Sequence, residues 1–107
     1  KAGCTITQFG WTWTPFIIFN LSSPILSNKI RFWAWYDWLH CNTVDVDLYY
    51  NGGWRDLYQG GFNDRIWTEK NFNTQLIYKA RIRFQVQRWI LWPATADLHE
   101  FQFYKLP

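Results

Sequence analysis

A single antiparallel β-sandwich of about seven short strands, all-β and one domain over residues 1–107, is the fold class this sequence predicts. Three observations carry it. Apolar and polar residues alternate with a period of two through most regular stretches, turn residues separate those stretches, and no helical period of about 3.6 persists over a helix-sized window. At 107 residues there is room for one core and not for two of ordinary size.

The elements follow in order. In the first strand Thr5, Thr7, Phe9, Trp11 and Trp13 alternate with Cys4, Ile6, Gln8 and Thr12, with Gly10 marking a bulge or close approach and Pro15 ending the strand. Residues 16–19 are too few for a helix, and the turn-rich residues 20–28 predict a long loop carrying at most an edge strand. Asn20-Leu21-Ser22 within it matches a short glycosylation acceptor pattern. Residues 29–39 make the second strand, with Ile30, Phe32, Ala34, Tyr36 and Trp38 on one side and Arg31, Trp33, Trp35 and Asp37 on the other. Val44, Val46, Leu48 and Tyr50 alternate with Asp45, Asp47 and Tyr49 in a third, and Asn51-Gly52-Gly53 turns it into a hairpin with residues 54–58.

A fifth strand over residues 65–70 is set off by Gly60-Gly61 before it and a turn at Asn71-Phe72-Asn73 after it. Residues 75–86 give the central strand, with Leu76, Tyr78, Ala80, Ile82, Phe84 and Val86 inward and Lys79, Arg81, Arg83 and Gln85 outward. Residues 88–93, Arg-Trp-Ile-Leu-Trp-Pro, read as an aromatic loop tip. In the last strand, residues 96–105, Phe101 and Phe103 share a face that Leu98 joins only if His99-Glu100 is a bulge.

The run from Leu76 to Phe84, in which a Tyr opens the strand and basic residues alternate outward, resembles the sixth strand of fibronectin type III and immunoglobulin-like domains. The resemblance implies an immunoglobulin-like sandwich and, since many unrelated functions use such sandwiches, no function. It also implies that residues 44–50 pair beside residues 75–86, so that Asp45 and Asp47 face Lys79, Arg81 and Arg83 as a solvated charge ladder favouring register more than stability.

Two cysteines, Cys4 and Cys41, occur with no C-x-x-C and no metal-spaced His pair, which predicts one disulfide and an oxidising, secreted setting. The chain has no Met and begins at Lys1, the pattern expected of a processed segment. No apolar run approaches the roughly 20 residues that span a bilayer as a helix. The net charge of +3 is spread along the chain instead of forming the stripe a nucleic-acid binder uses. Catalysis is not expected: the only histidines are His40 and His99, Ser22, Ser23 and Ser27 sit in turn chemistry, and no two carboxylates are brought together by spacing alone. Asp45 and Asp47 beside Asn51 or Asn63-Asp64 offer oxygen ligands, but without the dense spacing of a calcium loop, so neither metal nor cofactor is expected.

The aromatic share, 22% of the chain with nine Trp, exceeds what one core of this size absorbs. The surplus falls at Trp33 and Trp35, at Trp54 on the hairpin rim, and at the tip bearing Arg88, Trp89 and Trp92. Flat rings flanked by Asp, Asn, Gln and Arg suit a secreted, non-enzymatic module binding a glycan or cell surface. The same rings suit a protein interface or self-assembly surface, or, at the tip, shallow membrane contact by a toxin or antimicrobial protein. For most single rings, core packing is the simpler expectation.

Overall fold

The computed structural model describes residues 2–6, 10–36, 42–88 and 94–107. Seven strands form among the described residues: β1 (Ala2–Ile6), β2 (Gly10–Trp13), β3 (Ile17–Tyr36), β4 (Thr43–Tyr50), β5 (Gly53–Gly61), β6 (Ile66–Arg88) and β7 (Ala94–Lys105). All ladders are antiparallel, in the order β1-β7-β3-β6-β4-β5, with β2 also paired to β6. At about 3.3 Å per residue the 23 residues of β6 would reach roughly 75 Å, yet the molecule is 48 Å in its longest dimension. The two long strands therefore bend, and each contributes to both layers of a sandwich.

The front layer holds β5, β4, the second half of β6, the start of β3 and β2; the back layer holds β1, β7, the second half of β3 and the first half of β6. Ile30, Phe32 and Ala34 from β3 and Ala96 and Leu98 from β7 face Val44, Val46 and Leu48 from β4 and Ala80, Ile82 and Phe84 from β6, all almost fully buried. Phe62 fills the space between, its ring 6.0 Å from Phe32 and 5.7 Å from Phe84. Thr14 extends the β2 ladder: its N–H donates to the Phe84 carbonyl at 2.8 Å and its Oγ1 accepts from the Phe84 N–H at 3.0 Å.

Bulges accomplish the bends. Between Asn20 and Ile25 the partner in β6 moves only from Lys79 to Ile77, so Leu21, Ser22, Ser23 and Pro24 bow out of the ladder. Pro24, which has no N–H to offer, is tolerated there. Between Ser27 and Lys29 the partner jumps from Gln75 to Asn71, placing Phe72, Asn73 and Thr74 in a second bulge. Two sequence expectations are corrected by these features. The turn chemistry of residues 20–28 is not a loop but the bent middle of β3, and residues 65–70 and 75–86 are one strand and not two. The expected first strand is likewise two, β1 on the back layer and β2 on the front.

The immunoglobulin-like arrangement is also corrected: its two sheets have separate strands, whereas β3 and β6 here run through both layers. The expected Cys4–Cys41 disulfide is corrected as well. No disulfide is found among the described residues; β1 is instead tied down by its ladder to β7, with Cys4 opposite Ala96, and Cys41 lies outside the described residues. The bulge expected at His99-Glu100 is present, since Trp33 faces Glu100 and Ala34 faces Leu98, leaving His99 unpaired and turning Leu98 into the core with Phe101 and Phe103 packed against the same cluster.

Candidate functional site

The outer face of the front layer begins with the charge ladder. Asp45 lies opposite Arg83 and Asp47 opposite Arg81, and the guanidinium Nε atoms donate to the two carboxylates at 3.0 and 2.8 Å. Side chains two apart on neighbouring strands must meet in this way when both strands keep period two. The aspartates are not solvated, however: Asp45 is 5% and Asp47 7% exposed. Aromatic rings cover them. The Arg83 guanidinium lies 4.6 Å from the Trp13 ring and 4.5 Å from Phe16, and that of Arg81 4.1 Å from Phe16 and 4.2 Å from Trp54. Trp54 meets Tyr49 edge-on at 5.4 Å, and the Lys79 ammonium sits 4.8 Å over Tyr49. Cations and rings thus alternate along the whole face, each contact contributing about 0.5–2 kcal/mol according to its burial.

Asp56 of β5 joins this face, and carboxylate oxygens of Asp45, Asp47 and Asp56 lie within 4.8 Å of one another. Partial burial of its carboxyl, and then the charges of Asp45 and Asp47, raise the Asp56 pKa above the ordinary carboxylate value. This trio is the group of acidic side chains, among the described residues, that could hold a metal ion. Two of its members already carry ion pairs to Arg81 and Arg83.

Where this face reaches the hairpin end, an open pocket of about 300 Å³ is lined by Tyr49, Asn51, Gly52, Leu76 and Tyr78. Asn51 and Gly52 form the turn with φ of 51° and 78°, the left-handed pair that a tight hairpin requires and that Asn-Gly supplies at least cost. Tyr78 and Leu76 are each 44% exposed, whereas Ile77 is fully buried. Strict alternation along residues 75–86 predicts both inside, and the structure corrects this. The bulge opposite Asn20–Ile25 shifts the alternation of β6 between Ile77 and Ala80, turning Leu76 and Tyr78 outward. Leu76 pairs with Leu26, also exposed, so the pocket continues into a small apolar strip.

The residues singled out in the sequence are dispersed. Trp54 packs edge-on against Tyr49, which lines the pocket. Trp33 and Trp35 lie on the outer face of the back layer, half-buried: Trp33 pairs with Trp67 across strands and meets the His99 ring at 5.0 Å, and the Arg65 guanidinium lies 5.0 Å over Trp35. That face repeats the motif, with the Arg31 guanidinium 3.9 Å over Trp67 and its Nε donating to Gln102 at 2.7 Å. Arg88 ends β6 with its backbone paired to Gly10, while its side chain, together with Trp89 and Trp92, falls outside the described residues. Sequence reasoning missed the Tyr49–Tyr78 pocket because its marker, a register shift, is set by the partner strand.

No protein-family model and no curated protein matches the chain. Solved structures do. The fold is similar to chitosan-binding module 1 from a chitosanase/glucanase of Paenibacillus sp. IK-5, with a TM-score of 0.61 at 16% identity over 95% of this chain and 75% of that one. It is also similar to CBM32-1 from a family 31 glycoside hydrolase of Clostridium perfringens, at 0.59 and 10% over 96% and 94%. A third similar structure is the CBM32-5 module of the same organism in complex with GalNAc-β-1,3-galactose, at 0.55 and 11% over 88% and 74%. At such identities the likeness defines the fold: an all-β sandwich of the kind seen in carbohydrate-binding modules.

Proposed function

We propose that this chain is a non-enzymatic, extracellular carbohydrate-binding module that holds its glycan in the Tyr49–Tyr78 pocket. The observation that carries the reading is the pocket itself: two tyrosines, one of them well exposed, beside the Asn51 amide and the Gly52 backbone, on a sandwich built like modules whose names state chitosan binding or whose structure holds GalNAc-β-1,3-galactose. A tyrosine face offers CH contacts to a pyranose ring, and the amide and phenolic hydroxyls bond its hydroxyl groups. Trp54 and Lys79 brace Tyr49, which limits the ordering that binding would otherwise cost.

Calorimetric titration against a saccharide panel that includes chitosan oligosaccharides and GalNAc-β-1,3-galactose tests this. Binding is expected for at least one member, and Tyr78→Ala is expected to weaken it about tenfold, near the ~1.4 kcal/mol of a well-placed aromatic contact, with an unchanged unfolding midpoint. Failure to bind any member, or binding indifferent to Tyr78→Ala and Tyr49→Ala, would overturn the assignment.

A further inference from the structure

We infer that the Tyr49–Tyr78 pocket selects an N-acetylated hexosamine, packing the acetamido methyl on Leu76 and bonding the amide through Asn51 and the hairpin turn; the inference rests on the glycan reading of the same pocket. The lining carries no charge. Tyr49, Asn51, Gly52, Leu76 and Tyr78 supply two phenols, one amide, a bare stretch of backbone and one aliphatic side chain. The Lys79 ammonium, 4.8 Å over the Tyr49 ring, does not line the pocket.

Tyrosine rings suit any pyranose, so selection falls to the other three residues. Leu76 is 44% exposed and its cross-strand partner Leu26 41%. That aliphatic surface gains from being covered by a methyl and not by a hydroxyl. At Asn51 the backbone carbonyl accepts from Arg55 at 3.2 Å, but the side-chain amide has no hydrogen-bond partner among the described residues. It can donate and accept at once. The ladder pairs Tyr50 with Gly53, which leaves the N–H groups of Asn51 and Gly52 outside it, and a Cβ at Gly52 would meet nothing within 4 Å, so a ligand can approach this backbone closely. An acetamido group is a planar amide ending in a methyl. Its carbonyl suits the Asn51 amide or a turn N–H, its N–H suits the Asn51 side-chain carbonyl, and its methyl suits Leu76. A hydroxyl in its place would leave Leu76 uncovered. A free ammonium would bring positive charge to a pocket that no carboxylate lines, with the like charge of Lys79 at the Tyr49 ring. A site built to bond one group rejects the analogue that lacks it.

The test titrates the intact chain calorimetrically with two matched sets of methyl β-glycosides, one gluco and one galacto, whose members differ only in bearing acetamido, hydroxyl or ammonium at C2. In at least one set the acetamido sugar is expected to bind about fivefold or more tighter than the hydroxyl sugar, with the ammonium sugar weakest. Leu76→Thr keeps a strand-forming residue and Asn51→Gly keeps the positive φ of the turn. Each is expected to bring the acetamido-to-hydroxyl ratio toward one, with circular dichroism as the folding control, whereas Tyr78→Ala is expected to weaken both sugars and keep the ratio. The sugar series on the unaltered chain gives an independent readout if a variant misfolds. Hydroxyl or ammonium sugar bound as tightly as acetamido sugar in both sets, or a preference untouched by both variants, overturns the inference. Binding confined to saccharides without an acetamido group, and lost on Tyr78→Ala, would do so while leaving the glycan reading standing; no binding of any saccharide would remove both.

Discussion

Two guanidiniums, those of Arg81 and Arg83, stand against three carboxylates on the front face, so one negative charge among Asp45, Asp47 and Asp56 has no cation of its own. Asp56 is the group that yields, holding its proton to a higher pH than an ordinary carboxyl because of partial burial and its two neighbours. The raised folded-state pKa means the folded chain binds that proton more tightly than the unfolded chain. Its contribution is fully present below the unfolded value of 3.8 and is lost as pH rises through the folded value. Asp56→Asn, permanently neutral, should therefore raise stability near neutral pH by about 0.5 kcal/mol, discounted for the group's exposure, or ~2–4 °C in midpoint. The gain should vanish in acid below 3.8, a pattern thermal melts across pH would reveal; a loss of stability at neutral pH would show that Asp56 is held by attraction instead. Arg81→Met should act the other way, costing about 2 kcal/mol, because it strands the nearly buried Asp47. The pairing of Asp47 with Arg81 was legible from period two alone. Its burial was not, because one of the two rings against Arg81 comes from Phe16, a residue distant in sequence.

At the scale of the strand, alternation was a sound guide wherever the ladder is regular. Ile30, Phe32 and Ala34, Val44, Val46 and Leu48, and Ala80, Ile82 and Phe84 are all inside, as their spacing predicts. It failed at Leu76 and Tyr78, where a bulge in a partner segment distant in sequence, between Asn20 and Ile25, resets the phase, and at Asn71-Phe72-Asn73, whose turn chemistry is spent on a bulge inside β6. A strand's own residues do not encode how many residues its partner inserts, so the pocket could not be read ahead of the fold. The hairpin that closes the pocket was legible, because Asn51-Gly52 is a local signal. Its test is also local: a Cβ on Gly52 would meet nothing within 4 Å, so Gly52→Ala has no steric cost beyond the backbone. With φ at +78°, the substitution should still destabilise by about 1 kcal/mol. Chemical denaturation should show this as a shifted midpoint at unchanged slope. No shift would mean that the turn relaxes to another type, and saccharide binding would then report whether the pocket relaxes with it.

Over the whole molecule, the sharing of β3 and β6 between layers makes the sandwich one cooperative unit. In a sandwich of two separate sheets the layers communicate through side chains alone; here hydrogen-bonded strands of 20 and 23 residues cross from one layer to the other. Phe62 reinforces this from a short connection between β5 and β6, held by its N–H to the Asn42 carbonyl at 2.9 Å, with its ring against Phe32 of the back layer, Phe84 of the front and, at 5.4 Å, Tyr36. Phe62→Ala removes a large ring from a site only 5% exposed and should cost about 3–4 kcal/mol, a large share of a small domain's stability. The shape of the transition carries the sharper information. If backbone continuity couples the layers, the variant should melt tens of degrees lower at most, yet still in a single step whose calorimetric and van't Hoff enthalpies agree. If Phe62 alone couples them, its loss should split the endotherm in two, one layer outlasting the other. The strands' passage through both layers leads us to expect the single step.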